Sequence, residues 1–275
     1  MAFPSHLYRR VIFACSVVVV ALLLVVAIGG WPASNPTTKI RVSAAASLAE
    51  SIRRIAAQYQ QSHPETQISL NLGGSNGLAQ QVLQGAPVDI FISANQHWAG
   101  QVDAAGLSAK RFNLLSNRLV LIVPQGNPAG IARIEDLRPA NGPLIAIAGS
   151  GVPAGTYAES LLTHYQLLDT LKREHRLARG ADVRNTLAYV ESGEAQAGFV
   201  YKTDAIASSS VEVVQEFEPS SQDEIVYPVI LLRQAKDNSD ANAFLRFLQG
   251  KFATQVFRDA GFQIPDVPTA KELGQ

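Results

Sequence analysis

Residues 39–62 read KIRVSAAASLAESIRRIAAQYQQS, and this stretch holds one strand followed directly by one helix. The apolar run Lys39–Ala44 favours a strand, whereas Leu48–Ser62 places its apolar residues at helical spacing. The helical stripe consists of Ile52, Ile55, Ala56 and Tyr59. Pro64 follows the predicted helix, and proline is common there because it cannot continue one. The stretch therefore predicts an α/β protein with a turn around Ser47 at the end of its first strand.

The same alternation of strands and helices continues along the chain. The further predicted strands are Gln67–Leu72, Val88–Ser93, Leu119–Val123, Leu144–Ala148, Ala197–Tyr201, Val211–Phe217 and Ile225–Leu232. The further predicted helices are Leu78–Gln84, Gln96–Ala105, Gly155–Tyr165, Val183–Ser192, Thr203–Ala207, Ala241–Gln249 and Lys251–Ala260. Single helices between successive strands predict mostly parallel sheets that are covered on both faces.

Two such α/β blocks predict a bilobed protein with a ligand cleft between its lobes, outside the carboxyl ends of the strands. The predicted lobes are residues 38–121 with 228–275, and residues 122–227. The long apolar strands Leu119–Val123 and Ile225–Leu232 are expected to cross between the lobes and to act as a hinge. Pro228 limits part of the second strand to a sheet edge or to the crossing, because proline cannot donate to a central ladder.

Residues 1–34 differ in composition from the rest of the chain. Arg9 and Arg10 precede an almost unbroken apolar run from Val11 to Ile28, and small residues follow it. This pattern predicts an export signal. The run is also long enough to span a bilayer, so an uncleaved membrane anchor is an open alternative. In both cases the folded part faces outward, in the periplasm or another extracytoplasmic space.

The composition excludes several classes of function. The chain has 275 residues, 47% of them hydrophobic and 17% charged, and its formal net charge is zero, which suits a folded globule. No basic excess exists to displace counterions, so a nucleic-acid partner is not expected. Cys15 lies inside the N-terminal apolar run and is the single cysteine. The histidines show no metal-binding spacing, and neither a metal nor another cofactor is expected.

Four segments place small or hydroxyl residues where a helix begins. They are Ala45–Leu48, Gly73–Gly77, Val152–Gly155 and Asp182–Arg184. The start of a helix carries unsatisfied N–H groups and the positive end of the helix dipole, so several converging starts favour an anion. Because the expected contacts are neutral N–H and O–H groups, the pattern predicts capture of a small tetrahedral oxyanion without chemistry. We expect Asp182 to cap its helix and Arg184 to face solvent.

Two of these segments also permit an enzymatic interpretation. Gly73–Gly77 fits the G-x-S-x-G nucleophile elbow, which would make Ser75 the nucleophile of a serine hydrolase. A triad in that order needs a late histidine, but His175 is the last one in the chain and no HGGG-type segment is present. Gly149–Gly155 resembles a phosphate loop but lacks the Lys and Ser/Thr of that motif. An exported hydrolase therefore stays only as an alternative function.

Taken together, these motifs resemble those of the periplasmic molybdate-binding proteins of ABC transporters. The matching stretches, in family order, are Ala44–Leu48, Gly85–Ala94, Val152–Ala158, Ala181–Arg184 and Gly198–Ala205. The resemblance extends from Lys39 to Phe262. It implies a bilobed periplasmic-binding-protein fold, molybdate or tungstate as ligand, delivery to an inner-membrane permease, and a monomer.

The resemblance also implies which residues contact the ligand. These are the hydroxyl and amide of Ser47, Ser75, the amides of Ala154 and Val183, and the hydroxyl of Tyr201. The serine-rich turn of the family here reads Gly74-Ser75-Asn76, which removes neighbouring hydroxyls but keeps Ser75. Sulfate, phosphate or another oxyanion is the alternative ligand, because molybdate and sulfate are both tetrahedral dianions and must be separated by cavity size.

Overall fold

The computed structural model describes residues 38–140, 142–218 and 224–265, which belong to one compact unit beginning at Thr38. The predicted signal or anchor of residues 1–34 lies outside the described residues. Among the helices that are described, none is long and apolar enough to cross a bilayer.

Ten strands form two five-stranded sheets within the described residues. They are β1 (Thr38–Ala45), β2 (Thr66–Gly73), β3 (Ile90–Ile92), β4 (Ser108–Asn117), β5 (Leu119–Pro124), β6 (Ile145–Ala148), β7 (Leu177–Gly180), β8 (Ala197–Tyr201), β9 (Val211–Phe217) and β10 (Ile225–Leu232). The first sheet has the order β2-β1-β3-β10-β4, and the second has the order β7-β6-β8-β5-β9.

Nine α-helices lie between or after these strands in the described ranges. They are α1 (Ala49–Ser62), α2 (Ser75–Leu83), α3 (Gln96–Ala104), α4 (Pro153–His164), α5 (Leu168–Arg173), α6 (Val183–Glu191), α7 (Lys202–Ile206), α8 (Ser239–Phe247) and α9 (Lys251–Asp259). Short 3₁₀ turns occupy Ala46–Leu48, Ile134–Leu137 and Arg233–Ala235. The α/β prediction is confirmed, although α2 and α4 begin three and two residues before the predicted starts.

Both sheets are mixed rather than mostly parallel. In the first sheet β1 runs parallel to β2 and β3, and β10 runs antiparallel to β3 and β4. In the second sheet β6 runs parallel to β7 and β8, and β5 runs antiparallel to β8 and β9. The antiparallel strand in each sheet is the first strand after the chain arrives from the other sheet.

The chain passes from the first sheet to the second at Arg118, and it returns between Phe217 and Ile225. The predicted hinge strands, Leu119–Val123 and Ile225–Leu232, therefore each lie within one sheet and do not themselves cross. The two points at which the chain changes sheet lie three residues from the predicted lobe boundaries. Strands β5 and β10 begin directly after these points, and each is hydrogen-bonded within one sheet along its whole length.

The prediction for Pro228 is wrong, because β10 lies between β3 and β4 and is not an edge strand. The pairing of β10 with β4 shifts between Tyr227 and Pro228, where Leu114 is inserted as an extra residue. This β-bulge interrupts the ladder at the position where proline lacks a donor. On the other side the Pro228 carbonyl accepts the Ser93 N–H at 3.0 Å.

The amphipathic stripe predicted on the first helix faces the core of the first half of the molecule. Ile52, Ile55, Ala56 and Tyr59 are all buried. The ring of Tyr59 also contacts the edges of Phe244 and Phe247 on α8, with ring centroids 5.1 and 5.2 Å apart. Helix α8 therefore packs on the C-terminal part of α1, although the two helices are far apart in sequence.

Candidate functional site

The residues that the sequence singled out lie at the carboxyl ends of parallel strands. The 3₁₀ turn containing Ser47 follows β1, α2 follows β2, α4 follows β6, α6 follows β7, and Tyr201 is the last residue of β8. Parallel neighbours end at the same edge of a sheet, so these chain segments meet there. A small cavity of about 10 Å³, partly open to solvent, lies among them. Its lining includes all five predicted residues, namely Ser47, Ser75, Ala154, Val183 and Tyr201.

Three of the five residues supply backbone N–H groups at helix starts. Ser75 and Val183 are the first residues of α2 and α6, and Ala154 is the second residue of α4, after Pro153. At these positions the N–H groups have no partner within the helix. Asp182 caps α6 as predicted, because its carboxylate accepts the Asn185 N–H at 3.0 Å. The amides of the first helical turns are thus left for a ligand.

The hydroxyl of Ser75 is oriented by a backbone donor. Its Oγ accepts the Ala94 N–H at 2.9 Å, and the side chain is buried. Because the oxygen acts as acceptor in that bond, its own hydrogen remains to be donated into the cavity.

The hydroxyl of Ser47 is oriented by a chain of side-chain hydrogen bonds. Asn117 Oδ1 accepts the Arg118 N–H at 2.9 Å, which makes Asn117 Nδ2 the donor. That nitrogen donates to Thr203 Oγ1 at 2.9 Å and to the hydroxyl of Tyr227 at 3.3 Å. The Tyr227 hydroxyl lies 2.9 Å from Ser47 Oγ. Since Tyr227 already accepts from Asn117, we assign its hydrogen to Ser47 Oγ, which leaves the Ser47 hydrogen for the cavity.

The hydroxyl of Tyr201 is buried and has no hydrogen-bond partner among the described residues. A buried hydroxyl without a partner is costly, so the Tyr201 hydroxyl at the cavity wall is a candidate donor to a ligand. Burial, followed by the neighbouring Tyr227, raises the pKa of the Tyr201 phenol well above its usual value. The group therefore stays protonated and is a donor.

The charged pair Arg184–Asp204 lies behind the cavity, and it shows that the prediction for Arg184 is wrong. Arg184 does not simply face solvent, because its Nε lies 3.3 Å from Oδ1 of Asp204, whose side chain is fully buried. Burial raises the pKa of Asp204 from 3.8 to about 7, opposed by the Arg184 guanidinium and supported by the negative charges of Asp182 and Glu50. The pair connects α6, which begins at Val183, to α7, which follows Tyr201.

Asp204→Asn should flatten the pH dependence of stability between about pH 4 and pH 7. In the parent, the folded state keeps the Asp204 proton in this range while the unfolded chain loses it, so stability falls as the pH rises. Loss of one such proton changes the slope by up to about 1.4 kcal/mol per pH unit. Denaturant unfolding at several pH values measures this.

The exposed Asp237, whose side chain is 89% accessible, provides the matched control, and Asp237→Asn should keep the parent slope. Equal slopes in the parent and in Asp204→Asn would show that Asp204 is already ionised at low pH, contrary to the argument from burial.

The cavity does not have the groups of a hydrolase. No histidine lines it, and the hydrogen bond of the Ser75 hydroxyl is to a backbone N–H rather than to a base. The residues that the structure describes also contain no cluster of His, Cys, Asp or Glu that could hold a metal ion. The cavity lining therefore lacks both a general base for Ser75 and a metal-ligand set.

Residues 40–263 match the bacterial extracellular solute-binding protein family. The chain belongs to that family. It is 38% identical over 232 residues to the molybdate-binding protein ModA of Haemophilus influenzae, a match that covers 82% of this chain and 90% of the relative. This confirms the resemblance to the molybdate-binding proteins of ABC transporters. Members of the family are binding proteins, so the serine-hydrolase alternative is wrong.

Two solved structures show the same fold. The periplasmic molybdate-binding protein of Azotobacter vinelandii aligns with a TM-score of 0.71 at 22% identity, covering 82% of this chain and 99% of that one. The sulfate-binding protein SubI of Mycobacterium tuberculosis aligns with a TM-score of 0.67 at 19% identity, covering 86% and 90%. The bilobed solute-binding fold is therefore confirmed, and it does not by itself select one oxyanion.

Sequence reasoning missed the groups that orient the site from behind. Asn117 and Tyr227 lie in strands far along the chain from Ser47, and nothing local marks them as neighbours. The one available signal for Tyr227 is a phenol inside an otherwise aliphatic strand, since a buried hydroxyl needs a partner. Asp204 offers a similar signal, because it is a carboxylate in the short helix that follows the buried strand β8.

Proposed function

We propose that this protein binds molybdate and tungstate outside the cytoplasm and delivers them to the permease of an ABC transporter. The observation that carries the proposal is the unpartnered hydroxyl of Tyr201, which is buried at the wall of a cavity formed by helix starts. The ligand contacts in this proposal are Ser47, Ser75, Ala154, Val183 and Tyr201.

The donor character of the cavity supports a fully deprotonated oxyanion. The hydroxyl hydrogens of Ser47, Ser75 and Tyr201 are left for the cavity, and the amides of Ala154 and Val183 add two further donors. Molybdate and tungstate only accept hydrogen bonds at neutral pH and match such a set. Phosphate is disfavoured because it is partly protonated near neutrality and needs an acceptor.

Sulfate is the second candidate, because it is also a tetrahedral dianion and the fold is shared with a sulfate-binding protein. Its bonds are shorter than Mo–O or W–O bonds, so a rigid cavity can separate the ions by size. The 38% identity to the Haemophilus influenzae molybdate-binding protein favours the larger ions.

Residues 1–34 support a location outside the cytoplasm, either as a cleaved signal or as an uncleaved tether beside the permease. The proposed unit of delivery is the monomer, because all five ligand contacts come from one chain.

Tyr201→Phe should weaken molybdate binding by roughly ten- to a hundredfold while leaving the unliganded protein as stable as the parent. A hydrogen bond to an anion contributes about 1.5–3 kcal/mol. The same hydroxyl has no hydrogen-bond partner among the described residues, so removing it loses no hydrogen bond within the protein. Calorimetry with molybdate, tungstate, sulfate and phosphate measures the first effect, and chemical denaturation measures the second.

Tyr189→Phe is the matched control, because Tyr189 lies on α6 but does not line the cavity. It should bind like the parent. Tight binding of sulfate or phosphate with no binding of molybdate or tungstate would contradict the proposed ligand, and unchanged affinity in Tyr201→Phe would contradict the proposed site.

A further inference from the structure

A hydrogen bond joins the two halves of the molecule beside the cavity. The indole Nε1–H of Trp98 donates to the carbonyl of Gly151 at 2.8 Å. Trp98 lies on α3, which packs with the first sheet, and Gly151 lies in the turn between β6 of the second sheet and α4. The bond therefore bridges elements that belong to different sheets.

Trp98 is held firmly on its own side. Asn95 caps α3, and its Oδ1 accepts the Trp98 backbone N–H at 3.1 Å. The indole ring is partly buried and packs against the apolar cluster around α2 and α3, which includes Ala79, Ala99 and Val102. A partly buried aromatic residue on a capped helix has few alternative rotamers, so its N–H keeps one direction.

The acceptor lies on the turn that presents a proposed ligand donor. The turn is closed by the Val152 N–H, which donates to the Gly149 carbonyl at 3.1 Å. Gly151 has φ +81°, a left-handed conformation that favours glycine. Ala154, the proposed anion contact, follows three residues later, so whatever fixes the Gly151 carbonyl also fixes that amide.

The two halves approach closely around this bond. A Cβ atom added to Gly74, at the start of α2, would lie 3.4 Å from the Ala181 carbonyl oxygen and 3.7 Å from a methyl group of Val152. Gly74 belongs to the first half, and both neighbours belong to the second. The hydrogen bond of Trp98 thus forms only when the halves are together.

We propose that Trp98 is a positioning residue that holds the Gly151–Ala154 turn against the first half of the molecule and so slows release of the bound anion. The inference rests on the proposed function, since it concerns the same cavity. Trp98 does not line that cavity and acts through Gly151. A bond that exists only in the closed arrangement acts mainly on the dissociation rate and little on the association rate.

The test uses the full chain purified in mild detergent, with Trp31→Phe as a common background so that position 98 holds the single tryptophan. Trp98→Phe removes the N–H donor and part of the ring. Benzothienylalanine at position 98 replaces the N–H by sulfur at nearly constant ring size. 5-Fluorotryptophan keeps the N–H and is the matched control.

Two measurements test the role of the Trp98–Gly151 hydrogen bond, one with molybdate and one without any anion. Stopped-flow dissociation of molybdate should be about five- to tenfold faster in both variants that lack the N–H, with association unchanged, and 5-fluorotryptophan should behave like the background protein. Hydrogen exchange of the amides in residues 149–156, without any added anion, should also be faster in the variants that lack the N–H.

Equal exchange of residues 149–156 in all four proteins would overturn the role of Trp98, as would dissociation that is equally fast with 5-fluorotryptophan and with benzothienylalanine. If the background protein binds no oxyanion, the proposed function fails. The exchange measurement still tests the role of Trp98 in that case, because it needs no ligand.

Discussion

Val183→Pro is expected to fold like the parent and to bind molybdate roughly ten- to a hundredfold more weakly. Val183 is the first residue of α6, where proline is tolerated because no intrahelical bond uses that N–H. The preceding residue Asp182 has φ −153° and ψ −176°, an extended conformation that is compatible with a following proline. The substitution therefore removes one anion donor without breaking a helical hydrogen bond, although it also replaces the buried valine side chain. Calorimetry and thermal unfolding measure the two effects.

Val183→Ala is the control for the loss of the valine side chain. It keeps the N–H, so its affinity should stay close to the parent value, although loss of buried methyl groups lowers its stability. A folded Val183→Pro variant that binds molybdate as tightly as Val183→Ala would show that this amide is not a ligand contact.

Gly155→Ala is expected to lower both stability and anion affinity. An added Cβ would lie 2.5 Å from the Gly149 carbonyl oxygen and closer still to that of Ala148. Both oxygens are backbone atoms at the end of β6 and cannot rotate away. Such overpacking costs about 1–3 kcal/mol, and relief of the overlap displaces the start of α4 together with the Ala154 amide. Chemical denaturation and calorimetry of the folded fraction measure the outcome.

Gly77→Ala is the matched control, because Gly77 is the third residue of α2 just as Gly155 is the third residue of α4. A Cβ at Gly77 would meet no atom within 4 Å. Alanine there should leave stability unchanged or raise it by up to about 1 kcal/mol, since alanine favours helix over glycine. If both alanine variants are equally stable, the close approach at Gly155 has no energetic consequence.

The regular elements that were predicted correctly are those with strong local signals. The strands Ala197–Tyr201, Val211–Phe217 and Ile225–Leu232 have the predicted bounds. Apolar side chains in these runs must be removed from water whatever their partners are, so periodicity and composition locate them without tertiary information.

The strands that sequence reasoning missed are β4 and β7, which lie at sheet edges. Most of β4 is not buried, and β7 consists of Leu-Ala-Arg-Gly with one buried residue. An edge strand that faces solvent needs no continuous apolar run, and it forms because a neighbour offers it a ladder. Pro228 shows the same dependence, because only the bulge at Leu114 makes a proline acceptable between two partners.

The cavity also has some features that the sequence predicts and others that only the tertiary structure determines. Local sequence located the helix starts and strand ends that carry unsatisfied donors, and the resemblance to the molybdate-binding proteins selected Ser47, Ser75, Ala154, Val183 and Tyr201 among them. Whether the hydroxyls of Ser47 and Ser75 donate their hydrogens into the cavity depends on Ala94, Asn117 and Tyr227. The bond from Trp98 to Gly151 likewise depends on the approach of the two halves. Hydrogen-bond direction is set by partners that are distant in sequence, and only packing of the two sheets brings those partners within reach.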